Sequence, residues 1–225
     1  MSLAEVLDIT PGVTSVIGSG GKTSLLTALA RELPGTVVLT TTTHILPFEG
    51  VLTLKSPHMY TLSRALETSR VICVASESEK RGEKIKLTVP ELGIDALADL
   101  ADYVIVEADG ARRLPLKAHA AWEPVIPARS DRTVLVLGAS GLDRPVRERV
   151  HRPEIFCQLT GCAPDDLATP ELVARAANAE ALADVALVNQ AETAPERARE
   201  LAALLAIPAV IGSLHNGTSP ELHTA

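Results

Sequence analysis

The chain has 225 residues, of which 46% are hydrophobic and 22% charged, and its formal net charge is −7. A chain of this length buries a substantial core, and its acidic balance argues against nucleic acid or an anionic membrane surface as a partner. No stretch reaches the roughly 18 apolar residues of a membrane span, and the segment 1–12 lacks the regions of a secretory signal. Because Cys73, Cys157 and Cys162 lack CxxC spacing, we expect reduced thiols in a cytoplasmic protein.

Short, continuously apolar runs alternate with amphipathic segments along the chain. The runs are typical of strands covered on both faces, and they lie at 14–18, 36–42, 70–75, 102–108, 132–140, 184–190 and 207–212. The amphipathic segments predict helices at 22–33, 57–69, 90–100, 170–183 and 195–205. This alternation predicts an α/β fold, a three-layer, Rossmann-like, mostly parallel sheet with helices on both faces.

We expect one domain over residues 1–225, because no repeat, low-complexity tract or long linker divides the chain. The segment around 141–170 is less regular, and we predict an insertion of loops and a short helix there. We expect residues 215–225 to form a polar, frayed end.

A glycine-rich loop follows the first predicted strand and precedes the first long helix. Its residues are Gly18, Ser19, Gly20, Gly21, Lys22, Thr23 and Ser24. Glycines let consecutive N–H groups turn toward one point, and the positive end of the helix dipole is directed at the same point. In a phosphate-binding loop, Lys22 would contact the β- and γ-phosphates and the Thr23 hydroxyl would bind Mg²⁺.

The spacing of this loop is shorter than the usual GxxxxGK[ST], which would need a glycine where Val16 stands. The segment 18–23 fits GxxGK[ST], a form similar to the loop of ATP-dependent amide ligases of the cell-wall (Mur) type. We therefore predict a P-loop NTPase-like fold that binds ATP or GTP. The alternative is an ordinary strand-to-helix turn.

Polar residues follow the second strand, where ligands of open parallel sheets bind. Thr41, Thr42, Thr43 and His44 are suited to sensing the γ-phosphate, and His44 is a candidate catalytic residue. The alternative is that the threonines stabilise the strand and that His44 caps the loop.

An apolar strand at 102–108 ends in Glu107 and Asp109, an arrangement typical of Walker B strands. Either carboxylate, together with Thr23, could bind Mg²⁺ or polarise an attacking group. Lys22, Glu107 and Asp109 are therefore the main catalytic candidates, although Asp109-Gly110 also suits a plain turn. The nearby cations Arg112, Arg113 and Lys117 are candidates for anion contacts, or belong to a solvated loop.

The strand at 184–190 is followed by Asn189-Gln190-Ala191-Glu192, where guanine-specific NTPases carry NKxD. Asn189 and Glu192 are thus candidates for binding the base. Gln190 lacks the lysine charge and Glu192 is longer than aspartate, so the base is left open between adenine and guanine. A strand-end turn is the alternative.

Several of these motifs together resemble one family. The stretches GSGGKTS, TTTTHI, VEADGARRLPLKAHAAWEPVIP, GLDRPVRERVHRPE and LVNQAET are similar to selenium cofactor biosynthesis proteins of the YqeC type, also called selenium-dependent hydroxylase accessory proteins. The most specific stretch includes Glu123, a further candidate for ligand contact. The resemblance implies a nucleotide-binding protein that assists the maturation of molybdenum hydroxylases with a selenium cofactor.

Three functional hypotheses remain open at this stage. The first is a Mg²⁺-dependent NTPase that handles a molybdenum or selenium cofactor species. The second is an ATP-dependent ligase or kinase that acts on a small cofactor precursor. The third is a nucleotide-switched chaperone that binds an apo molybdenum hydroxylase with little turnover.

Overall fold

The structure is a computed structural model that describes residues 1–77 and 86–214 and the backbone of 218–223. The strands are β1 Gly12–Gly18, β2 Val37–Thr41, β3 His44–Ile45, β4 Leu52–Lys55, β5 Val71–Glu77, β6 Leu87–Thr88, β7 Tyr103–Glu107, β8 Leu116–Lys117, β9 Ser130–Gly138, β10 Val150–His151, β11 Val185–Asn189, β12 Ala209–Ser213 and β13 Thr218–His223. The α-helices are α1 Leu3–Val6, α2 Lys22–Glu32, α3 Met59–Leu66, α4 Gly93–Ala98, α5 Val146–Arg149, α6 Pro153–Thr160, α7 Pro170–Glu180 and α8 Pro195–Leu204.

Within the described residues, eleven strands form one sheet in the order β13-β12-β11-β9-β1-β7-β2-β5-β6-β3, and β4 pairs with β5 outside this path. The pairs from β12 to β5 along this order are parallel, as is β4 with β5. The pairs of β12 with β13, β5 with β6 and β6 with β3 are antiparallel. The predicted α/β fold with a mostly parallel sheet is confirmed, with antiparallel strands added at both edges.

Helices cover both faces of this sheet, as predicted. Along β1, Val13 and Ile17 belong to the layer that contains α3, α4, α6, α7 and α8, whereas Val16 belongs to the layer that contains α1 and α2. In α2, Leu25 and Leu29 are fully buried, and burial of each leucine stabilises the fold by about 1.5–3 kcal/mol. No helix in the described ranges combines the length and apolar character needed to cross a bilayer.

Two local expectations need correction. The insertion around 141–170 contains two short helices, α5 and α6, and the strand β10, because β10 finds a parallel partner in β8. Residues 218–223 are not frayed, because β13 completes the hydrogen bonds of the β12 edge. Residues 215–217 and 224–225 of the same predicted end lie outside the described residues.

Strand order decides which side chains can meet. β1 is central, with β7 on one side and β9 on the other. The carboxyl ends of β1 and β7 therefore lie side by side, with Val16 in register with Glu107. The glycine-rich loop at the end of β1, Glu107 at the end of β7 and Asp109 just after it share this edge of the sheet.

Candidate functional site

The glycine-rich loop (residues 18–23) joins β1 to α2. Gly18, Gly20 and Gly21 have φ angles of 90°, 90° and 130°, which residues with side chains rarely adopt. A Cβ atom on Gly20 would also lie 2.5 Å from the Cα atom of Gly138. The loop therefore needs glycine both for its backbone conformation and for its contact with the end of β9.

Hydrogen bonds from distant segments hold this loop. Ser19 Oγ donates to the carbonyl of Leu114. The buried Asn189 donates from Nδ2 to the carbonyl of Gly20 over 2.8 Å, and its Oδ1 accepts the backbone N–H of Leu214 over 3.0 Å. Asn189, a candidate for reading the base, thus has both ends of its amide engaged in positioning the loop.

Lys22 begins α2 and is buried, with 5% of its surface exposed. Its Nζ donates to the carbonyl of Gly18 over 2.7 Å. The same nitrogen lies 3.0 Å from Asp109 Oδ1 and 3.8 Å from Glu107 Oε1. The lysine and the carboxylates predicted from two separate strands are therefore in direct contact.

Asp109 is fully buried and lies at the centre of a charged network. Its Oδ2 accepts the N–H of Gly18 over 2.9 Å and lies 3.1 Å from Lys117 Nζ and 2.8 Å from His119 Nε2. Burial opposes ionisation of this carboxyl group, but the hydrogen bond with His119 and the charges of Lys22 and Lys117 outweigh burial. The pKa of Asp109 therefore lies below its ordinary value.

His119, which was not among the predicted site residues, connects this network to α7. Its Nδ1 lies 2.7 Å from Glu180 Oε2, and its backbone N–H donates to Glu180 Oε1 over 2.6 Å. Burial favours the neutral imidazole, but the hydrogen bonds with Asp109 and Glu180 outweigh it and raise the pKa of His119. The i, i+2 spacing of Lys117 and His119 is a usable signal for a shared face, whereas Glu180 is 61 positions away from His119.

Thr23 and Glu107 bring two oxygen donors together beside the loop. Thr23 Oγ1 donates to Glu107 Oε2 over 3.1 Å, and burial raises the pKa of Glu107. Hydroxyl and carboxylate oxygens suit Mg²⁺, which usually takes one or two carboxylates and completes its shell with water and phosphate. The pair fits this ion better than Asp109, whose carboxylate is enclosed by cations. Across the described residues, no group of three or more His, Cys, Asp or Glu side chains could hold a metal.

A cleft of about 1480 Å³ lies beside the glycine-rich loop. The predicted site residues that line it are Gly20, Gly21, Lys22, Thr23, Ser24, Thr43, His44, Glu107, Arg112, Arg113 and Glu123. The predicted site residues that do not line it are Gly18, Ser19, Thr41, Thr42, Asp109, Lys117, Asn189 and Glu192. The cleft therefore collects residues from three of the four predicted segments, and Gln190 represents the fourth.

The threonines after β2 stabilise the chain where it leaves the sheet. Thr41 Oγ1 accepts the backbone N–H of Thr43 over 2.9 Å, and Thr42 Oγ1 donates to the carbonyl of Val125 over 2.7 Å. Both contacts direct the chain so that Thr43 and His44 reach the cleft. Thr41 and Thr42 therefore make the stabilising contacts of the alternative interpretation, whereas Thr43 and His44 line the cleft.

Glu123 forms a second charged cluster at the cleft. Its Oε1 lies 2.9 Å from Lys117 Nζ and 2.7 Å from Arg152 Nε. Burial opposes ionisation of Glu123, but the hydrogen bonds from Arg152 and Lys117 outweigh burial and lower its pKa. Arg152 also lies over the ring of Trp122, 5.2 Å from its centroid. The pairing of β8 with β10 places His151 in register with Lys117 and so brings Arg152 to the cleft.

The segment after β11 reaches the cleft through Gln190. Its Oε1 accepts from Ser140 Oγ over 2.6 Å, and its backbone is left-handed with a φ of 59°. Glu192 lies in the exposed part of a 3₁₀ turn, Ala191–Thr193. The two predicted base-binding side chains, Asn189 and Glu192, are therefore not brought together at the cleft.

Fold and site define an α/β protein with a glycine-rich loop, a buried lysine and carboxylates at one edge of its sheet. A family model described as YqeC protein matches residues 14–154. Over 165 residues the chain is 41% identical to a protein of Escherichia coli (strain K12) named "Uncharacterized protein YqeC", and this match covers 69% of the chain. The chain therefore belongs to the YqeC family, which confirms the resemblance, and it spans 63% of the length of that relative.

Proposed function

We propose that this protein is a P-loop NTPase that binds ATP or GTP with Mg²⁺ at the glycine-rich loop. The observation that carries the proposal is the contact of Lys22 Nζ with Asp109 and Glu107, at 3.0 and 3.8 Å, beside a cleft large enough for a nucleotide. A lysine at the start of a helix, directly after a glycine-rich turn, is the arrangement with which P-loop proteins contact β- and γ-phosphates.

Phosphate binding would use groups that the fold already positions. The first N–H groups of α2 and its dipole favour an anion at the loop. Lys22 would exchange its carboxylate contacts for phosphate oxygens, and Thr43 and His44 would face the terminal phosphate. These roles follow from which side chains line the cleft.

Thr23 and Glu107 would hold Mg²⁺, because they supply a hydroxyl and a carboxylate 3.1 Å apart. The ion would neutralise charge on the phosphates during their transfer. Burial raises the pKa of Glu107, and a cation beside this carboxylate would favour its ionised form. Asp109, which does not line the cleft, would orient Lys22 and the backbone of Gly18.

For the biological role, we propose maturation of molybdenum hydroxylases that carry a selenium cofactor. The support is membership of the YqeC family together with the role implied by the resemblance. The partner would be an apo molybdenum hydroxylase, and the cleft would receive a molybdenum or selenium cofactor species. The free cysteines at 73, 157 and 162 suit the cytoplasm as the place of this work.

A second function, phosphoryl transfer or ligation with a small acid, is favoured by one observation. The cleft volume of about 1480 Å³ exceeds the 300–1,000 Å³ usual for one small-molecule ligand. Phosphate release that requires a co-substrate would identify the transfer reaction. Phosphate release without any co-substrate would identify simple hydrolysis.

Calorimetric titration with ATP, GTP and CTP, with and without Mg²⁺, tests the proposal. We expect Lys22→Ala to weaken nucleotide binding at least tenfold, because a charge-assisted contact contributes about 1.5–3 kcal/mol. Thr23→Ala and Glu107→Gln should remove the Mg²⁺ dependence. Lys55→Ala is a matched control, because Lys55 is exposed and pairs with Glu77 outside the cleft.

Equal affinity of Lys22→Ala and the parent protein for every nucleotide would refute binding at this loop. Circular dichroism of each variant separates a lost contact from a lost fold. The geometry around Gln190 leaves the choice between adenine and guanine open. The nucleotide that binds more tightly in the titration decides between ATP and GTP.

A further inference from the structure

The cleft has a second basic region in addition to Lys22. Among the residues that the structure describes, six lysine and arginine side chains and two carboxylates line the cleft, on a chain whose net charge is −7. The cations are Lys22, Lys86, Arg112, Arg113, Arg149 and Arg152, and the carboxylates are Glu107 and Glu123. Positive charge is therefore concentrated here against the overall balance of the protein, which points to an anionic ligand.

Pairing of two short strands assembles this region from distant segments. In the parallel pair of β8 and β10, Val150 lies in register with Leu116. Arg112 and Arg113 precede β8, whereas Arg149 ends α5 directly before β10. Residues far apart in the chain thus line the same cleft, and the insertion around 141–170 supplies Arg149 and Arg152.

Three of these arginines have no carboxylate within ion-pair distance among the described residues: Arg112, Arg113 and Arg149. Arg152, in contrast, is paired with Glu123. Burial lowers the pKa of His151, and the charges of Lys117, Arg152 and Arg112 act in the same direction against an opposing contribution of Glu123. His151 is therefore surrounded by three cations and one carboxylate.

The backbone of the same region is left-handed at residues other than glycine. The φ angles of Arg112, Arg113 and Arg152 are 47°, 63° and 65°. Each such conformation costs on the order of 1–2 kcal/mol and is retained where surrounding structure enforces it, which is common at ligand sites. Arg152 precedes α6 and pairs with Glu123, whereas Arg112 and Arg113 hold this conformation in a loop that lines the cleft.

We propose that Arg112, Arg113 and Arg149 form a subsite for a second ligand, a small molecule that carries a phosphate group. Three guanidinium groups without carboxylate partners suit a dianion, and the planar guanidinium binds phosphate oxygens in pairs. The cleft volume leaves room for this ligand beside a nucleotide. The proposal rests on the proposed function only in assigning the nucleotide to the glycine-rich loop.

The test uses inorganic phosphate as the probe in calorimetric titration of the full chain. The Lys22→Ala variant serves as background, because it removes the cation of the glycine-rich loop. In this background, Arg112→Ala combined with Arg149→Ala should weaken phosphate binding about tenfold or more for each arginine. The matched control combines Arg144→Ala with Arg147→Ala; Arg144 precedes α5 and Arg147 lies in it, and both are exposed and do not line the cleft.

A second titration adds phosphate to the parent protein saturated with Mg²⁺ and a non-hydrolysable ATP analogue. Phosphate binding that persists there, and that the Arg112 and Arg149 changes alone remove, supports the subsite. Equal loss in the matched control, or absence of any phosphate binding, overturns it. Binding of a polyglutamate peptide without binding of phosphate also overturns it, in favour of an acidic protein partner.

The two proposals fail separately. Absence of Lys22-dependent nucleotide binding, with arginine-dependent phosphate binding intact, removes the NTPase and leaves the subsite. Lys22-dependent nucleotide binding without arginine-dependent phosphate binding removes the subsite and leaves the NTPase.

Discussion

Asp109→Asn gives the sharpest test of the buried charge network. The Asp109 side chain is fully buried and lies within 3.1 Å of Lys22, Lys117 and His119, and it also accepts the N–H of Gly18. Asparagine has nearly the same shape but no charge, and its NH₂ group cannot accept any of these hydrogens. The substitution therefore leaves cations beside an uncharged partner in the protein interior.

The expected cost follows from the remaining partners of these cations. Removal of one member of a buried ion pair usually costs about 3–5 kcal/mol. The distances to other carboxylates are 3.8 Å for Lys22–Glu107, 2.9 Å for Lys117–Glu123 and 2.7 Å for His119–Glu180. Because each cation keeps one carboxylate partner, we expect the loss in free energy of unfolding to lie at the lower end of this range, about 3 kcal/mol. For a chain of this length this corresponds to a fall in Tm of roughly 6–12 °C.

The pH dependence of stability gives a second readout. The pKa of Asp109 is lowered by folding, so its stabilisation is present above its ordinary value of 3.8 and is lost as pH falls through the folded pKa. The pKa of His119 is raised, so its contribution is full below 6.5 and is lost as pH rises through the folded pKa. We expect Asp109→Asn to lose the acid-side dependence and retain part of the alkaline side through Glu180.

Urea unfolding followed by circular dichroism, at pH values from below 3.8 to above 6.5, measures both the loss of stability and its pH dependence. Asp99→Asn is the control, because Asp99 forms an exposed pair with Arg129 and such pairs contribute little. A free energy of unfolding for Asp109→Asn within about 1 kcal/mol of the control would refute the reasoning. It would mean that the buried charges do not depend on Asp109.

Three further predictions concern single sites. Gly20→Ala should lower Tm and disturb the loop, because the φ of Gly20 is 90° and the added Cβ would lie 2.5 Å from Gly138. Gly110→Ala is the control: a Cβ on Gly110 has open space around it, so thermal unfolding should not change. Asn189→Ala removes two hydrogen bonds to backbone groups and should cost about 1–3 kcal/mol in urea titration; an unchanged midpoint would contradict its positioning role. Burial and the neighbouring thiol raise the pKa of Cys157 to about 11, so its alkylation by iodoacetamide, followed by mass spectrometry, should be slow near neutral pH and accelerate toward pH 11; rapid labelling at neutral pH would contradict this.

The strands of the sheet were predictable because parallel strands buried on both faces read as continuous apolar runs. All seven predicted runs overlap a strand, and β7 ends at the predicted Glu107. Adjacent strands then bring their carboxyl ends together. The sequence therefore predicted that Lys22, Glu107 and Asp109 lie at the same edge of the sheet. The strand order that puts β1 beside β7, and with it the contact of Lys22 with both carboxylates, was not predicted.

The remaining features depend on contacts that leave no local pattern. Strands of two residues, such as β3, β6, β8 and β10, are too short for a periodic signal. Glu180 is the last residue of α7, and no sequence pattern around it indicates its contact with His119. Arg152 reaches the cleft only because β10 pairs with β8. Likewise, sequence alone could not distinguish Glu107, which lines the cleft, from Asp109, which is enclosed behind it.

The uneven pairing of cations around the cleft has a kinetic consequence. Lys22 is already neutralised by carboxylates, whereas Arg112, Arg113 and Arg149 have none within ion-pair distance among the described residues. An unpaired charge attracts ions over roughly 8–10 Å at moderate salt, but a paired one acts only at contact. We therefore expect the arginines to speed the arrival of an anion at the cleft, whereas Lys22 acts on a phosphate only at the glycine-rich loop, where this contact sets how long the phosphate stays. Added salt would slow arrival and leave the residence time nearly unchanged.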